Sequence, residues 1–230
     1  MNAASGRAAT VLIGLATAIV IVAMAILPFL TPGWVALEQG RANATAWTGF
    51  TTEQLRDATD AILADLVFGG DFDVEIGGAP VLNVREQGHM ADVRIVFRGL
   101  WILAAISAIV LVAASRRADR ARTWRAVRHG AIGLSVGVVV VGVVALVAFD
   151  QLFELFHRIF FPAGSYLFDP ATDRLVQLFP FQFWEDTAIV VGVVIIAIAL
   201  IVAVVAGRRT KRYASRAPLG ELAAVTGPWT

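Results

Sequence analysis

Residues 130–149 read GAIGLSVGVVVVGVVALVAF, an unbroken run without a single charged side chain. As a helix rising 1.5 Å per residue, such a run covers about 30 Å, the thickness of a bilayer's hydrocarbon core. Three more runs resemble it, at about Ala8 to Leu30, Val96 to Ala114 and Thr187 to Ala206. Hydrophobic residues make up 58% of the 230-residue chain and the mean hydropathy is +0.73, far from the composition of a soluble domain. Because lipid offers the backbone no hydrogen-bond partner, each run must satisfy itself as a helix. The sequence therefore predicts an all-α membrane protein with four transmembrane helices and a small extracytoplasmic cap. An even number of crossings returns both ends to one side.

The expected organisation is the N-terminus and first crossing at 1–30, a cap at 31–95, the second crossing at 96–115, a basic connection at 116–129, the third crossing at 130–149, an aromatic-rich segment at 150–186, the fourth crossing at 187–206 and a tail at 207–230. Arg7 precedes the first run and Ala23-Met-Ala25 resembles a cleavage site, but the run is too long for a signal core and reads as an uncleaved helix.

Charge sets the expected orientation. The connection 116–129 holds Arg116, Arg117, Arg120, Arg122, Arg125 and Arg128 against one acid, Asp119, and the tail adds Arg208, Arg209, Lys211, Arg212 and Arg216. Short loops rich in Lys and Arg stay in the cytoplasm, which places both termini there and puts 31–95 and 150–186 on the outside of the membrane. Topology accounts for these arginines without a nucleic acid partner. The tail lacks apolar periodicity and reads as mobile. The absence of cysteine excludes disulfides, thiolate metal sites and a cysteine nucleophile.

Within the cap, Thr51-Thr-Glu-Gln54 has the form of a capping box, and Leu55, Ala58, Ile62 and Leu66 follow at helical spacing until Gly69-Gly70. Asp71 to Val81 reads as extended, punctuated by Gly77-Gly78-Ala-Pro80. A second box opens at Asn83 with Glu86 three residues on, and that helix continues into the second crossing. On it Arg85, His89 and Asp92 share one face, with Glu86 one turn before His89. The mirrored stretch Asp150 to Phe161, DQLFELFHRIFF, puts Asp150, Phe153, Glu154 and His157 on one face as the chain leaves the third crossing.

Both histidines thus belong at the membrane interface, whereas His129 reads as a helix-terminal residue on the cytoplasmic side. A histidine among apolar residues is commonly a core residue satisfied by its neighbours. Two imidazoles at one height, each with carboxylates within a turn, also form the equipment for proton transfer near neutral pH. Ionisable groups at membrane depth are costly and mark functional sites. Phe153, Phe156, Phe160, Phe161, Tyr166, Phe179 and Trp184 crowd the second histidine and the segment after it, partly as an interfacial belt and partly as an enclosure for lipid.

The stretch Leu82-Asn-Val-Arg-Glu-Gln-Gly-His-Met-Ala-Asp-Val93 resembles the N-x-R-E-x-x-H-M-x-D-V signature of the lipoprotein intramolecular transacylase family of four-helix bacterial membrane proteins. The later stretch FDQLFELFHRIFFPAGSYLFDPATDRLVQLFPFQFWED, Phe149 to Asp186, resembles that family's second block. The match departs at Gln182, where the family is associated with an acid, and through the cap from Thr31 to Val81. The resemblance implies an enzyme that moves the sn-2 acyl chain of a diacylated lipoprotein to the α-amine of the substrate's N-terminal cysteine. It implies His89 and His157 as the catalytic pair and requires no enzyme nucleophile, cofactor or metal. Arg85, Glu86, Asp92 and Asp150 then read as supporting residues, with membrane lipid and the lipoprotein as partners.

Other classes remain open at this level. Glu86-x-x-His89 and Glu154-x-x-His157 form a pair of E-x-x-H elements such as four-helix di-iron sites use, though the remaining helices offer only Glu185 or Asp186. A non-catalytic lipid-binding or scaffolding subunit is the other rival. Ser165 lacks the elbow of a serine hydrolase.

Overall fold

The computed structural model describes residues 3–116 and 119–215. Four helices are long and apolar enough to cross a membrane: α1 (Ala3–Ile26), α5 (Val84–Ser115), α6 (Arg120–Phe160) and α8 (Phe181–Ala214). Between α1 and α5 lie a 3-10 turn (Leu27–Leu30), α2 (Pro32–Arg41), α3 (Ala44–Thr48), α4 (Thr52–Phe68), β1 (Glu75–Ile76) and β2 (Ala79–Pro80), and α7 (Arg174–Leu178) precedes α8. The chain is a multi-pass helical membrane protein. Apolar side chains such as Ile109, Val147 and Ile201 are 65% exposed or more, and only lipid makes such surface stable.

The chain forms two compact units. One consists of the described parts of Met1–Ala23, Leu103–Val139 and Ile195–Thr230. Its core joins Ile13, Ala114, Ala126, Val127 and Ala206. Gly14 and Gly130 bring the backbones of α1 and α6 together so closely that a Cβ on Gly130 would overlap Gly14. Small residues permit this approach where lipid gives helices little hydrophobic reason to associate. The basic residues here are largely helical: α6 begins at Arg120, so the connection after α5 is short, and α8 continues to Ala214 through Arg208, Arg209, Lys211 and Arg212. Cations in a last helical turn are favoured by the helix dipole, which the apolar pattern alone does not register. Arg120 also lies over the Tyr213 ring at 5.6 Å, and Arg209 over Trp124 at 5.9 Å. His129 is exposed in the body of α6, not at its end. The stretch 216–230, most of the expected tail, lies outside the described residues.

The other unit, Met24–Ile102 with Val140–Val194, contains the cap. Pro28 and Pro32 end α1 and start α2, because a proline is tolerated at a first turn and not in a helix interior. The Thr51 box forms: Thr51 Oγ1 accepts from the Gln54 N–H, and Gln54 Oε1 accepts from the Thr51 N–H. Leu55, Ala58, Ile62 and Leu66 are all buried along α4, and a side chain as fully enclosed as Ile62, 1% exposed, contributes about 1.5–3 kcal/mol. Gly69 takes φ 99° at the helix end. Gly77 and Gly78, φ 61° and 79°, turn β1 into β2, a tight hairpin that favours residues free to adopt positive φ.

One buried and one half-buried polar contact fix α2 to α7 and α8. Gln39 Nε2 donates to the Leu178 carbonyl (2.9 Å), and Trp34 Nε1 donates to Thr187 Oγ1 (3.3 Å). Burial pushes the Glu38 carboxyl up from its ordinary pKa; Arg41 opposes this and Asp186 adds to it.

Candidate active site

The site begins with the start of α5. Asn83 Oδ1 accepts from the N–H groups of Arg85 (3.0 Å) and Glu86 (3.1 Å), and Glu86 Oε2 accepts from the Asn83 N–H (2.7 Å). These contacts satisfy donors that any helix start leaves open. The other oxygen of Glu86 accepts from the Leu175 N–H at the start of α7 (2.6 Å), so one buried carboxylate ties two helix beginnings together. His89 follows one turn later, 6% exposed, with Nδ1 buried and unpartnered among the described residues.

His157 stands near the end of α6. Its Nδ1 lies 2.7 Å from the Phe153 carbonyl oxygen. A carbonyl can only accept, so Nδ1 carries the proton and the neutral ring offers its lone pair at Nε2. The two imidazole centroids are 6.0 Å apart with their planes 22° from parallel. Ala148, at φ −145° and ψ 38°, leaves helical geometry, so the stretch bearing His157 is set off by a kink from the rest of α6.

Aromatic rings enclose the pair. Phe161 is 4.7 Å from His89 and 5.3 Å from His157, Phe168 is 5.4 Å from His89, and Phe153, Tyr166 and Phe156 lie 4.3, 5.1 and 5.4 Å from His157. The rings shield His89 from water, which strengthens any hydrogen bond it makes, while His157 is half-buried beside Phe156, itself 45% exposed. The segment supplying Phe161, Tyr166 and Phe168 is anchored by Asp173, which accepts from Arg85 Nη2 (2.6 Å), the Asp169 N–H (2.7 Å) and Asn83 Nδ2 (3.1 Å). The Asp169 N–H holds the Asp173 carboxyl below its ordinary pKa, helped by Arg85 and Asn83 and opposed by burial. Arg85 also lies 5.0 Å over the Phe168 ring.

His89 and His157, 68 positions apart in sequence, therefore share one enclosure with Phe153, Phe156, Phe161 and Tyr166. Phe160 reaches it through Phe156 (4.9 Å), Trp184 flanks Phe153 from the start of α8 (6.2 Å), and Phe179, just after α7, packs on Trp184 (6.0 Å). Among the described residues the four supporting side chains make no hydrogen bond to either imidazole. Glu86 is held by backbone donors, Arg85 by Asp173, and Asp150 is exposed, while Asp92 is half-buried one turn along from His89. Glu154 is exposed and faces Arg158 at 3.9 Å, so the two E-x-x-H elements do not converge, and no group of three or more metal-ligating side chains gathers among the described residues. Ser165 Oγ donates to the Pro162 carbonyl (3.0 Å) within its own turn. The sequence reading missed the role of Asp173 as the acceptor that ties this segment to the start of α5. The signal available was an acid inside an otherwise aromatic block, in Asp169-Pro-Ala-Thr-Asp173.

Comparison with known proteins agrees with this architecture. The family model described as lipoprotein intramolecular transacylase Lit matches residues 10–184. The structure of the membrane integral lipoprotein intramolecular transacylase Lit from Bacillus cereus superposes with a TM-score of 0.78 at 15% identity, covering 93% of this chain and 100% of that one. Two structures of that protein with one histidine replaced, by arginine or by alanine, give TM-scores of 0.67 at 17% and 18% identity, covering 92% of this chain and 95% and 96% of theirs. No curated protein matches by sequence. At these identities the structural likeness is one of fold.

Proposed function

The chain belongs to the lipoprotein intramolecular transacylase (Lit) family, and we propose that it moves the sn-2 acyl chain of a diacylglyceryl-cysteine lipoprotein onto the α-amine of that cysteine. The observation that carries the reading is the His89–His157 pair, 6.0 Å apart in an aromatic enclosure, in a chain without a cysteine nucleophile. The neutral amine attacks the ester carbonyl carbon, and the Nε2 lone pair of His157 takes its proton. His89 donates a hydrogen bond to the carbonyl oxygen as negative charge develops there. When the ester C–O bond breaks, the glyceryl oxygen leaves with the proton held by His157. One C–N bond forms, one C–O bond breaks, and one proton passes from nitrogen to oxygen. Both imidazoles return to their starting state.

The amine and the ester belong to one flexible molecule, so orientation is the larger part of the task. The rings around the histidines supply it by restricting how the glyceryl arm lies. Arg85, held by Asp173, stiffens the wall at Phe168. The cluster of arginines around the α5–α6 connection and the end of α8 supports an orientation with both termini in the cytoplasm and the histidines at the outer surface.

The test is mass spectrometry of the N-terminal peptide of a diacylated lipoprotein after incubation with the purified protein. The expected product carries one chain on the amine and one on the glyceryl group. A substrate that keeps both chains on the glyceryl group, or an acyl group trapped on Ser165, would refute the mechanism.

A further inference from the structure

Next to the histidine enclosure lies an apolar cavity of about 220 Å³, lined among others by Trp47 of α3, Phe153 of α6, Pro170, Val176 of α7, and Phe181 and Trp184 at the start of α8. Among the described residues no charged side chain lines it. Phe153 belongs to both spaces: its ring is 4.3 Å from His157 and 5.9 and 6.2 Å from Phe181 and Trp184. Trp47, Phe181 and Trp184 are 52%, 45% and 41% exposed, so the cavity is open where α8 begins. The structure thus sets a polar pair beside a lipophilic space with a single ring between them.

We infer that this cavity seats the migrating acyl chain, which runs from the carbonyl at the histidines past Phe153, with Val176 and Trp47 setting the length accepted. The inference rests on the proposed acyl shift. In that reaction the carbonyl carbon changes only its partner, from oxygen to nitrogen, and its tail has no need to move. A fixed tail lets the same carbonyl meet both partners without being released into the bilayer between them. Walls of tryptophan, phenylalanine, proline and valine suit a methylene chain and offer nothing to a headgroup or a charged peptide.

The experiment uses the full chain in lipid nanodiscs, carrying His157→Asn to hold substrate unreacted, and a diacylglyceryl lipopeptide with a diazirine at the end of its sn-2 chain. Irradiation and peptide mapping should place the label on Trp47 and on residues 170–184, and Val176→Trp should reduce that labelling about tenfold by filling the space. Label confined to bilayer-facing residues of α6 and α8, equally in both proteins, overturns the seat. So does labelling of the cavity by a probe on the second residue of the peptide and not by the chain probe. With His157 intact, Val176→Trp should also lower the preference for long over short sn-2 chains about tenfold. An unchanged preference in a variant that still transfers acyl groups removes the seat and leaves the acyl shift standing. Chain labelling of the cavity without any acyl shift in the native protein supports the seat and removes the reaction.

Discussion

Asp173→Ala is the most informative single change outside the two histidines. The carboxylate is 4% exposed and accepts from Arg85, from the Asp169 N–H and from Asn83. A hydrogen bond to a charged group is worth about 1.5–3 kcal/mol and a neutral one about 1 kcal/mol. The Arg85 side chain is 50% exposed, so water recovers part of its loss and the pair is better counted near 1 kcal/mol. Asn83 and Asp169 are exposed as well, so each of the three bonds is better counted at about 1 kcal/mol and the total at about 3 kcal/mol, which in a domain of this size lowers the unfolding midpoint by roughly 6–12 °C. Arg85→Ala should cost about 1 kcal/mol, and the double change should fall short of the sum by about that amount, since both single changes remove the same pair. Unfolding of detergent-solubilised protein followed by tryptophan fluorescence reads the cycle. Acyl transfer should fall about tenfold or more in Asp173→Ala, because Phe161 and Phe168 would no longer be held against His89. A midpoint unchanged within about 1 °C, or a coupling of zero, would show that the segment is held by its rings alone.

Three further outcomes are expected. His89→Asn and His157→Asn should each slow acyl transfer about 10²–10⁴-fold, and the double variant should lose much less than the product of the two, as measured in single-turnover assays. Acidification should leave Asp173's contribution intact down to its ordinary value of 3.8 and remove it only as pH falls through the lower folded value; unfolding midpoints measured across that range should respond less in Asp173→Asn. Gly130→Ala should destabilise the protein by about 1–3 kcal/mol by driving α1 from α6, whereas Gly14→Ala meets Gly130 Cα at an ordinary 3.5 Å and should be nearly neutral in the same thermal assay.

What the sequence revealed and what it hid divide along one physical line. Hydrophobic period, charge and capping are local signals, and from them the four crossings, the Thr51 and Asn83 helix starts and the buried stripe of α4 were all readable. The meeting of His89 with His157 followed from placing two helix ends at one membrane height. Contacts between distant, irregular segments leave no period: Glu86 with Leu175, Gln39 with Leu178, and Asp173 with Arg85 each join residues 88 or more positions apart. Glu86 shows the consequence, since its spacing from His89 reads as an orienting carboxylate while its oxygens close a helix cap and reach α7. The kink at Ala148 has no proline beside it and was equally silent.

That shared carboxylate also bears on motion. Glu86 closes the first turn of the 32-residue α5 with one oxygen and the first turn of the 5-residue α7 with the other, and an end turn frays once its cap is lost. The two should therefore open as one event, with the amides of Asn83 and Leu175 exchanging with solvent at the same rate although 92 positions separate them. Each such event would uncover the base of the histidine enclosure to water. The lifetime of the dry site would then be set by how long one glutamate holds two backbone protons.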